Sequence, residues 1–236
     1  ASGSSGTLGA GDYLKDKFNT SIAVVEAAEC PTLLNNGYGE HNIQGIGDKH
    51  VPLIHNVMNT DFVVAISDQA TNNLNMMFNT EIGQQYLSKN KGLESVFVHR
   101  LPEFGLSSIA NILASIKLAK YMKLGAQDAI ITVATDGADL YLTELEKTKK
   151  AFQGMYDETS CAEIYGQFLK GATTDHTLEL NQKEKERIFN LGYYTWVEQQ
   201  GIDLNDFEKR RDQGFWLDHY NHILSLDDRI EEFNAR

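Results

Sequence analysis

The first seven residues of the chain have the composition of an anion-binding loop. Residues 3–7 carry only hydrogen or small hydroxyl side chains, in the order Gly3, Ser4, Ser5, Gly6 and Thr7. Residues 8–18 have the composition of a helix, so the loop would present several backbone N–H groups and the positive end of a helix dipole at one point. Glycine takes positive φ cheaply and lets an anion come close to the backbone. The pattern predicts a phosphate site, with a plain turn as the alternative.

The order of the glycines separates this loop from two common nucleotide-binding motifs. A Walker loop would continue with Gly-Lys-Ser/Thr, which does not follow here. Gly6, Gly9 and Gly11 are spaced G-x-x-G-x-G, whereas a dinucleotide-binding fingerprint has the order G-x-G-x-x-G. A nucleotide-binding α/β domain of the dehydrogenase type is therefore a weaker hypothesis. The lack of an acidic ribose-binding residue at a strand end also counts against it.

Composition and charge indicate a globular chain and exclude several classes of partner. Hydrophobic residues make up 42% and charged residues 23% of the 236 residues, which is ordinary for a folded domain with a sizeable core. A net charge of −12 argues against nucleic acid, which needs a basic face. No apolar run reaches the length of a membrane span, and no export signal is visible. Cys30 and Cys161 lie far apart without a C-x-x-C motif, which favours buried thiols in a cytoplasmic protein.

Three β-branched runs alternate with helical patterns in the first part of the chain. The predicted strands are 21–26, 61–66 and 128–134. Helical patterns between them start at the cap formed by Ser67 and at Gly105. Strand, helix and strand at this spacing predict right-handed crossovers in a parallel sheet. Because ligands in such sheets bind beyond the carboxyl ends of the strands, the turn that begins at Thr135 is a predicted ligand site.

From about residue 143 onward the pattern is helical, acidic and rich in aromatic side chains. Aromatic residues at helical spacing are best interpreted as packing against neighbouring elements. The sequence thus predicts a three-layer α/β/α fold around a parallel or mixed sheet over residues 1–142. An all-helical C-terminal extension is predicted over residues 143–236. This extension would cover the site as a lid, form a dimer interface, or do both.

Three stretches that occur in one order resemble a known enzyme family. They are the loop of residues 3–7 with its helix, the run His41-Asn-Ile-Gln-Gly-Ile-Gly47, and the strand end Thr135-Asp-Gly-Ala-Asp-Leu-Tyr141. Together with Gly105-Leu-Ser-Ser-Ile-Ala-Asn111, they resemble the C-terminal half of fold type II pyridoxal-phosphate enzymes. Within that group the resemblance is closest to cysteine synthase and cystathionine β-synthase, and it covers residues 1–142.

The resemblance implies a cofactor, a site and a reaction class. The cofactor is pyridoxal 5'-phosphate, whose phosphate the loop of residues 3–7 would hold. Gly45 would border the cofactor and the substrate, and Thr135 would face the pyridine nitrogen. A neutral hydroxyl at that nitrogen does not enforce a protonated ring, which suits β-elimination and β-replacement on a small amino acid by a lyase or transferase. The alternative is a non-catalytic protein on the same fold that binds a small phosphorylated molecule.

The strand end departs from the family pattern P-S-x-G-x-R-Y. Ala134 stands at the proline position, Thr135 at the serine position and Leu140 at the arginine position. Asp136 lies beside Thr135. If the carboxylate of Asp136 met the ring nitrogen, the ring would stay protonated and the reaction class would differ. A simple Asp-Gly turn is the other interpretation of this residue, so both remain open.

The Schiff-base lysine of the family has no counterpart in this sequence. That lysine lies in an N-terminal motif, whereas Lys15, Lys49, Lys91 and Lys117 fall on predicted helix surfaces or polar loops. A lysine must be partly desolvated to react as the free amine. The chain is therefore predicted to supply no catalytic residue and to be inactive alone, as the C-terminal part of a longer enzyme. An N-terminal half or a partner chain would bring the lysine, and the assembly is expected to be a homodimer.

Two groups of titratable side chains invite a catalytic or metal-binding interpretation. His41 and His50 flank the glycine pair of the second stretch and could move protons, although structural hydrogen bonds are the favoured interpretation. Asp218, His219 and His222 have one-turn helical spacing. No further ligand cluster accompanies them, so no metal site is predicted.

Overall fold

The architecture is mixed α/β, with one small sheet and a larger helical part. The computed structural model describes residues 5–235, apart from the side chain of Leu224. The strands are β1 (Ala23–Ala27), β2 (Phe62–Ile66) and β3 (Thr177–Glu179). The helices are α1 (Gly6–Phe18), α2 (Thr32–Asn35), α3 (Asp68–Asn79), α4 (Glu81–Lys91), α5 (Ser95–Val98), α6 (Leu106–Met122), α7 (Leu142–Ala151), α8 (Glu158–Ile164), α9 (Gln182–Tyr193), α10 (Leu204–Lys209) and α11 (Gln213–Asn234). Turns of π-helix at Tyr165–Lys170 and Tyr194–Gln199 continue α8 and α9.

The sheet has the order β1-β2-β3. β1 and β2 pair in parallel, with Ala23 opposite Phe62 and Ala27 opposite Ile66, whereas β3 joins β2 antiparallel, with Glu179 opposite Phe62. Every residue of β2 is buried, as expected for a strand that is covered on both faces. The predictions of strands at 21–26 and 61–66 are confirmed, with the small shifts at the ends that strand assignment always carries.

Alternating residues of β1 and β2 supply two hydrophobic cores, one on each face of the sheet. On one face Val25 packs with residues of α3, α4 and α6. On the other face Val24 packs with Leu8 of α1 and with side chains of α9 and α10. Residues beyond 142 enter both cores, with Cys161 in the first and Phe207 in the second. The C-terminal extension therefore packs against both sides of the sheet.

The prediction of a strand at 128–134 is wrong. Residues 128–137 contain no helix or strand, and Ile131 is 75% exposed. A strand needs a neighbour along its edge to satisfy its backbone groups; β2 already has β1 on one side and β3 on the other, and the run pairs with neither outer edge of the sheet. The run is instead tied to α6, where Asn111 Nδ2 donates to the carbonyl of Val133 at 3.0 Å.

The prediction of an all-helical extension over 143–236 also needs correction. This part is mostly helical, but it contains β3, whose three residues are too few to show in the sequence pattern. β3 occupies the edge of β2 opposite β1. Within residues 5–235, no helix combines the length and the apolar composition that crossing a bilayer requires.

Candidate functional site

The described part of the predicted phosphate loop is the turn that starts α1. Gly3 and Ser4 lie outside the described residues. Ser5 is the N-cap of α1 and has a left-handed backbone with φ of 56°, and its carbonyl accepts the first hydrogen bonds of the helix. The side chain of Ser5 is buried, and its Oγ has no hydrogen-bond partner among the described residues. Gly6 and Thr7 follow, exposed, in the first turn. A buried hydroxyl without a partner is costly unless a ligand or water bonds it.

Contacts of α1 place its middle and its second half near the amino ends of the strands. Lys15, in the second half of the helix, donates to both carboxylate oxygens of Asp61 at 2.7 Å, immediately before β2. Gly11 lies against the side chain of Ile22, immediately before β1. Ser5 precedes Gly11 by about 9 Å of helix, and Leu8 between them packs in the core that contains Val24 of β1.

The run of residues 41–47 forms a loop at the carboxyl ends of β1 and β2. Asp68, the first residue of α3 after β2, accepts hydrogen bonds from the backbone N–H groups of Asn42 at 2.7 Å and Ile43 at 3.1 Å. Glu29, which follows β1, accepts in turn from the N–H of Asp68 at 3.0 Å. Carboxylates that follow the two parallel strands therefore fix the backbone of this loop. Charge-assisted hydrogen bonds of this kind are stronger than neutral ones.

The two glycines of the loop have different surroundings. Gly45 has φ of 79° and is exposed, and a Cβ there would meet no atom within 4 Å. Gly47 has φ of 72°, and a Cβ there would lie 3.2 Å from Nε2 of His41. Nδ1 of His41 is buried without a hydrogen-bond partner among the described residues, whereas Nδ1 of His50 lies 3.3 Å from a carboxylate oxygen of Asp48. The structural hydrogen bond that was expected for both histidines is therefore found at His50.

Thr135 and Asp136 lie beside the start of α6. The carbonyl of Asp136 accepts from the N–H of Gly105, the N-cap of α6, at 2.6 Å. The Tyr141 hydroxyl donates to Oδ2 of Asp136 at 3.1 Å. Burial of Tyr141, together with this hydrogen bond and the charge of Asp136, raises the pKa of Tyr141 to about 12. The phenol thus stays protonated at neutral pH and engages one carboxylate oxygen of Asp136, while Thr135 is exposed.

α6 also runs antiparallel to β2. Near its C-terminal end, the ring of Tyr121 packs edge-on against Phe62 with 6.0 Å between centroids, and its hydroxyl donates to Glu179 at 3.2 Å. Both contacts lie at the amino end of β2. The first turn of α6 therefore points toward the carboxyl edge, and there Ser108 is buried with no partner for its Oγ among the described residues. α1 and α6 cover opposite faces of the sheet.

Among the described lysines, Lys185 has the surroundings expected of a reactive amine. Burial lowers the pKa of Lys185, which donates to the carbonyl of Met58 at 3.0 Å and lies 3.9 Å from Asp61. A lowered pKa is what a lysine needs in order to react as an amine. Asp61 precedes β2, so Lys185 lies at the amino edge of the sheet. Lys15 pairs with the same carboxylate, and Lys117 pairs with an aspartate near β3.

A polar cleft of about 630 Å³ opens beside the loop of residues 41–47. Asn42 of the loop donates through Nδ2 to Oδ1 of Asn72 at 2.7 Å, and both line the cleft. On the other side Glu144, whose side chain is almost fully buried, pairs with Lys147 at 2.7 Å. The sequence did not predict this cleft, because its walls come from α3, α7 and α8, whose mutual packing leaves no local signal.

The remaining predicted candidates are accounted for within residues 5–235. Cys30 and Cys161 are free and buried, which confirms the prediction of buried thiols. Nδ1 of His219 and of His222 lies within hydrogen-bonding distance of backbone carbonyls one turn earlier on α11. No group of three His, Cys, Asp or Glu side chains in the described part of the chain is arranged to hold a metal ion.

Comparison with known proteins gives one partial match. No family model matches the sequence. Over 143 residues the chain is 31% identical to the cysteine synthase B of Campylobacter jejuni subsp. jejuni serotype O:2. The match covers 60% of this chain and 40% of that protein, so the chain spans less than half the length of this relative. The chain is thus distantly similar to a cysteine synthase over part of its length.

Proposed function

We propose that this chain is the phosphate-binding part of a pyridoxal-phosphate-dependent enzyme that performs β-elimination or β-replacement on a small amino acid. The observation that carries the proposal is the buried Ser5 Oγ at the start of α1, which has no partner among the described residues. His41 Nδ1 and Ser108 Oγ, in two further stretches of the family resemblance, are likewise buried without partners there, as are side-chain atoms of His55, Thr177 and Arg210 outside those stretches. Because buried polar groups are nearly always hydrogen-bonded, such an atom at the start of a helix favours a polar ligand there.

The start of α1 fits a phosphate group. A helix N-terminus favours an anion through its first N–H groups and its dipole, and it needs no arginine to do so. Ser5 adds a buried hydroxyl that can donate, and Gly6 leaves the approach open because a Cβ there would meet no atom within 4 Å. Gly3, Ser4 and Thr7 complete the proposed phosphate loop. The described residues of this turn therefore fit the cofactor phosphate.

The proposed contact for the other end of the cofactor is Thr135. Asp136 is the rival, but one of its carboxylate oxygens already accepts from Tyr141. Pyridoxal phosphate, when bound, supplies the electron sink for chemistry at the β-carbon. A neutral hydroxyl from Thr135 would orient the ring without enforcing a proton on its nitrogen. Gly45, with positive φ and open space above its Cα, would let the cofactor and the substrate come close to the backbone.

The proposed enzyme needs a lysine from outside this chain. Lys185, whose pKa burial lowers, lies at the wrong edge of the sheet. We infer that the chain forms part of a fold type II assembly in which an N-terminal half or a partner chain brings the lysine. The distant similarity to a cysteine synthase supports this assembly. The position of Lys185 at the amino edge of the sheet also fits one rival function. In that function the chain is a non-catalytic protein that binds a small phosphorylated molecule at the start of α1.

Titration calorimetry with pyridoxine 5'-phosphate tests the proposal. This ligand has the ring and the phosphate but lacks the aldehyde, so it does not react with surface lysines. We expect it to bind more tightly than inorganic phosphate, and we expect pyridoxine to give no measurable binding. Ser5→Ala should weaken binding about tenfold, the effect of one hydrogen bond to a charged group. Ser21→Ala, a change at an exposed serine before β1, should leave it unchanged.

Two other outcomes of this titration have distinct meanings. Equal affinity for inorganic phosphate and pyridoxine 5'-phosphate would favour the non-catalytic phosphate-binding protein, because the ring would then contribute nothing. No binding of either ligand would contradict both functions.

A further inference from the structure

The last helix, α11, has few ties to the rest of the chain. It has 22 residues, and none of those whose side chains are described is buried. Its ties come from the first two turns, where Tyr220 stacks on Tyr13 of α1 with 6.0 Å between centroids and Trp216 Nε1 donates to the carbonyl of Arg210 at 2.8 Å. Isolated helices are marginal in water, and most helices in proteins are stabilised by packing of an apolar face. The later turns of α11 therefore need a packing partner for their apolar side chains.

Large side chains recur along α11 at alternating steps of three and four residues. We call this row the seam; its members are Trp216, His219, Ile223, Leu226, Ile230 and Phe233. In heptad notation Ile223 and Ile230 occupy a positions and Leu226 a d position. The four members beyond the second turn are exposed, from 47% at Ile223 to 75% at Phe233. An exposed row with this spacing matches the a and d positions of a coiled-coil interface.

We propose that α11 pairs with α11 of a second copy of this chain as a parallel two-stranded coiled coil. Isoleucine at a combined with leucine at d is the combination that favours two parallel strands. In such a pair each seam residue meets its own copy, so Ile223, Leu226 and Ile230 would all become buried. The interface is isologous, which closes the assembly at two chains.

The charges beside the seam favour the parallel orientation. His222 and Arg229 occupy g positions, and Asp227 occupies an e position. In a parallel pair a g residue lies beside the e residue five places later in the other helix, so His222 would lie beside the partner's Asp227. In an antiparallel pair g positions face each other, so the side chains of His222 and Arg229 would face basic side chains of the other copy. The parallel orientation is therefore the one that pairs a basic with an acidic side chain.

The seam spans fewer than three heptads, so the pairing should depend on concentration. Sedimentation equilibrium of the full chain, from low to high micromolar concentration, is expected to show a monomer–dimer equilibrium. Ile223→Asp should weaken the dimer at least about tenfold, because it would bury a charge in the seam. Asn221→Asp adds the same charge on the opposite side of the helix and should behave as the wild type does.

Oxidative cross-linking tests the orientation. The native cysteines Cys30 and Cys161 are both buried, so a thiol introduced on α11 would be the accessible one. Leu226→Cys should give a disulfide-linked dimer, because parallel pairing places the two thiols side by side. Asp228→Cys, on the outer side of the helix, should not.

Three results would overturn the proposal. A chain that stays monomeric at every concentration would mean that something other than a second copy covers the seam. A dimer that is unchanged in Ile223→Asp would place the interface elsewhere on the molecule. A dimer that does not cross-link through Leu226→Cys would rule out the parallel orientation.

Discussion

Glu26 and His55 are buried titratable side chains whose proton affinities change in opposite directions on folding. The carboxylate of Glu26, in β1, accepts from the N–H groups of Leu33 and Leu34 at 2.9 Å, and burial raises its pKa to about 7. His55 Nε2 lies 2.9 Å from the hydroxyl of Thr60, and burial, aided by the nearby charge of Arg210, lowers its pKa to about 4. These two groups therefore act oppositely on the pH dependence of stability.

The pH dependence of the free energy of unfolding in two variants tests these opposite effects. The contribution of Glu26 to the free energy of unfolding is complete below pH 4.5 and is lost as the pH rises to about 7. The contribution of His55 is complete above pH 6.5 and is lost as the pH falls to about 4. Between pH 4.5 and 6.5 the two slopes nearly cancel in the wild type. In Glu26→Gln the free energy of unfolding should rise with pH by about 1.4 kcal/mol per unit, and in His55→Gln it should fall similarly.

Urea unfolding at several pH values measures these slopes directly. Equal slopes in the two variants would show that at least one of the groups titrates normally in the folded chain. The residue types alone did not reveal either shift, because a glutamate in a strand pattern and a histidine in a loop are usually exposed. Sequence reasoning likewise predicted that Ser5 contacts a phosphate but gave no sign that its hydroxyl is buried.

At the scale of elements, the loop of residues 41–47 depends on the first residue of α3. Asp68 accepts from two backbone N–H groups of the loop, at Asn42 and Ile43. Asp68→Ala removes both bonds, so amide hydrogen exchange across the loop should become at least about tenfold faster, while exchange in β2 stays slow. Asp48→Ala is the matched control, because the Asp48 side chain is exposed and, among the described residues, its carboxylate bonds only to His50.

Unchanged exchange in Asp68→Ala would mean that packing of the loop, and not the carboxylate, holds it in place. The sequence predicted β1, β2 and the Ser67 cap because buried β-branched runs and capping residues are local signals. It could not distinguish the run at 128–134 from a strand, because the composition is the same and only a neighbouring edge decides. β3, which does pair with β2, comes from more than forty residues further along the chain.

For the whole molecule, the C-terminal part is expected to unfold together with the rest. Phe207 of α10 is fully buried in the core that contains Val24 of β1 and Leu8 of α1. Phe207→Ala should therefore lower the free energy of unfolding by about 3–5 kcal/mol, and far-ultraviolet and near-ultraviolet circular dichroism should show one coincident transition. Phe233→Ala, at a phenylalanine that is 75% exposed, should have little effect at low concentration.

Two separate transitions would support instead the division into residues 1–142 and 143–236 that the sequence predicts. The sequence indicated the α/β part through β-branched runs, capping residues and short glycine-containing motifs. It could not show how the helices beyond 142 return to both faces of the sheet, because that packing brings residues far apart in sequence, such as Val24 and Phe207, into one core.

Nuclear magnetic resonance of the chain with pyridoxine 5'-phosphate is the most direct test of the proposed site. The proposal predicts that the ligand shifts the amide signals of Ser5, Gly6 and Thr7 and gives a nuclear Overhauser effect between its ring protons and the methyl group of Thr135. Both effects should disappear together in Ser5→Ala at subsaturating ligand. Shifts confined to the start of α1, with no contact at Thr135, would contradict the claim that one ligand bridges these two places.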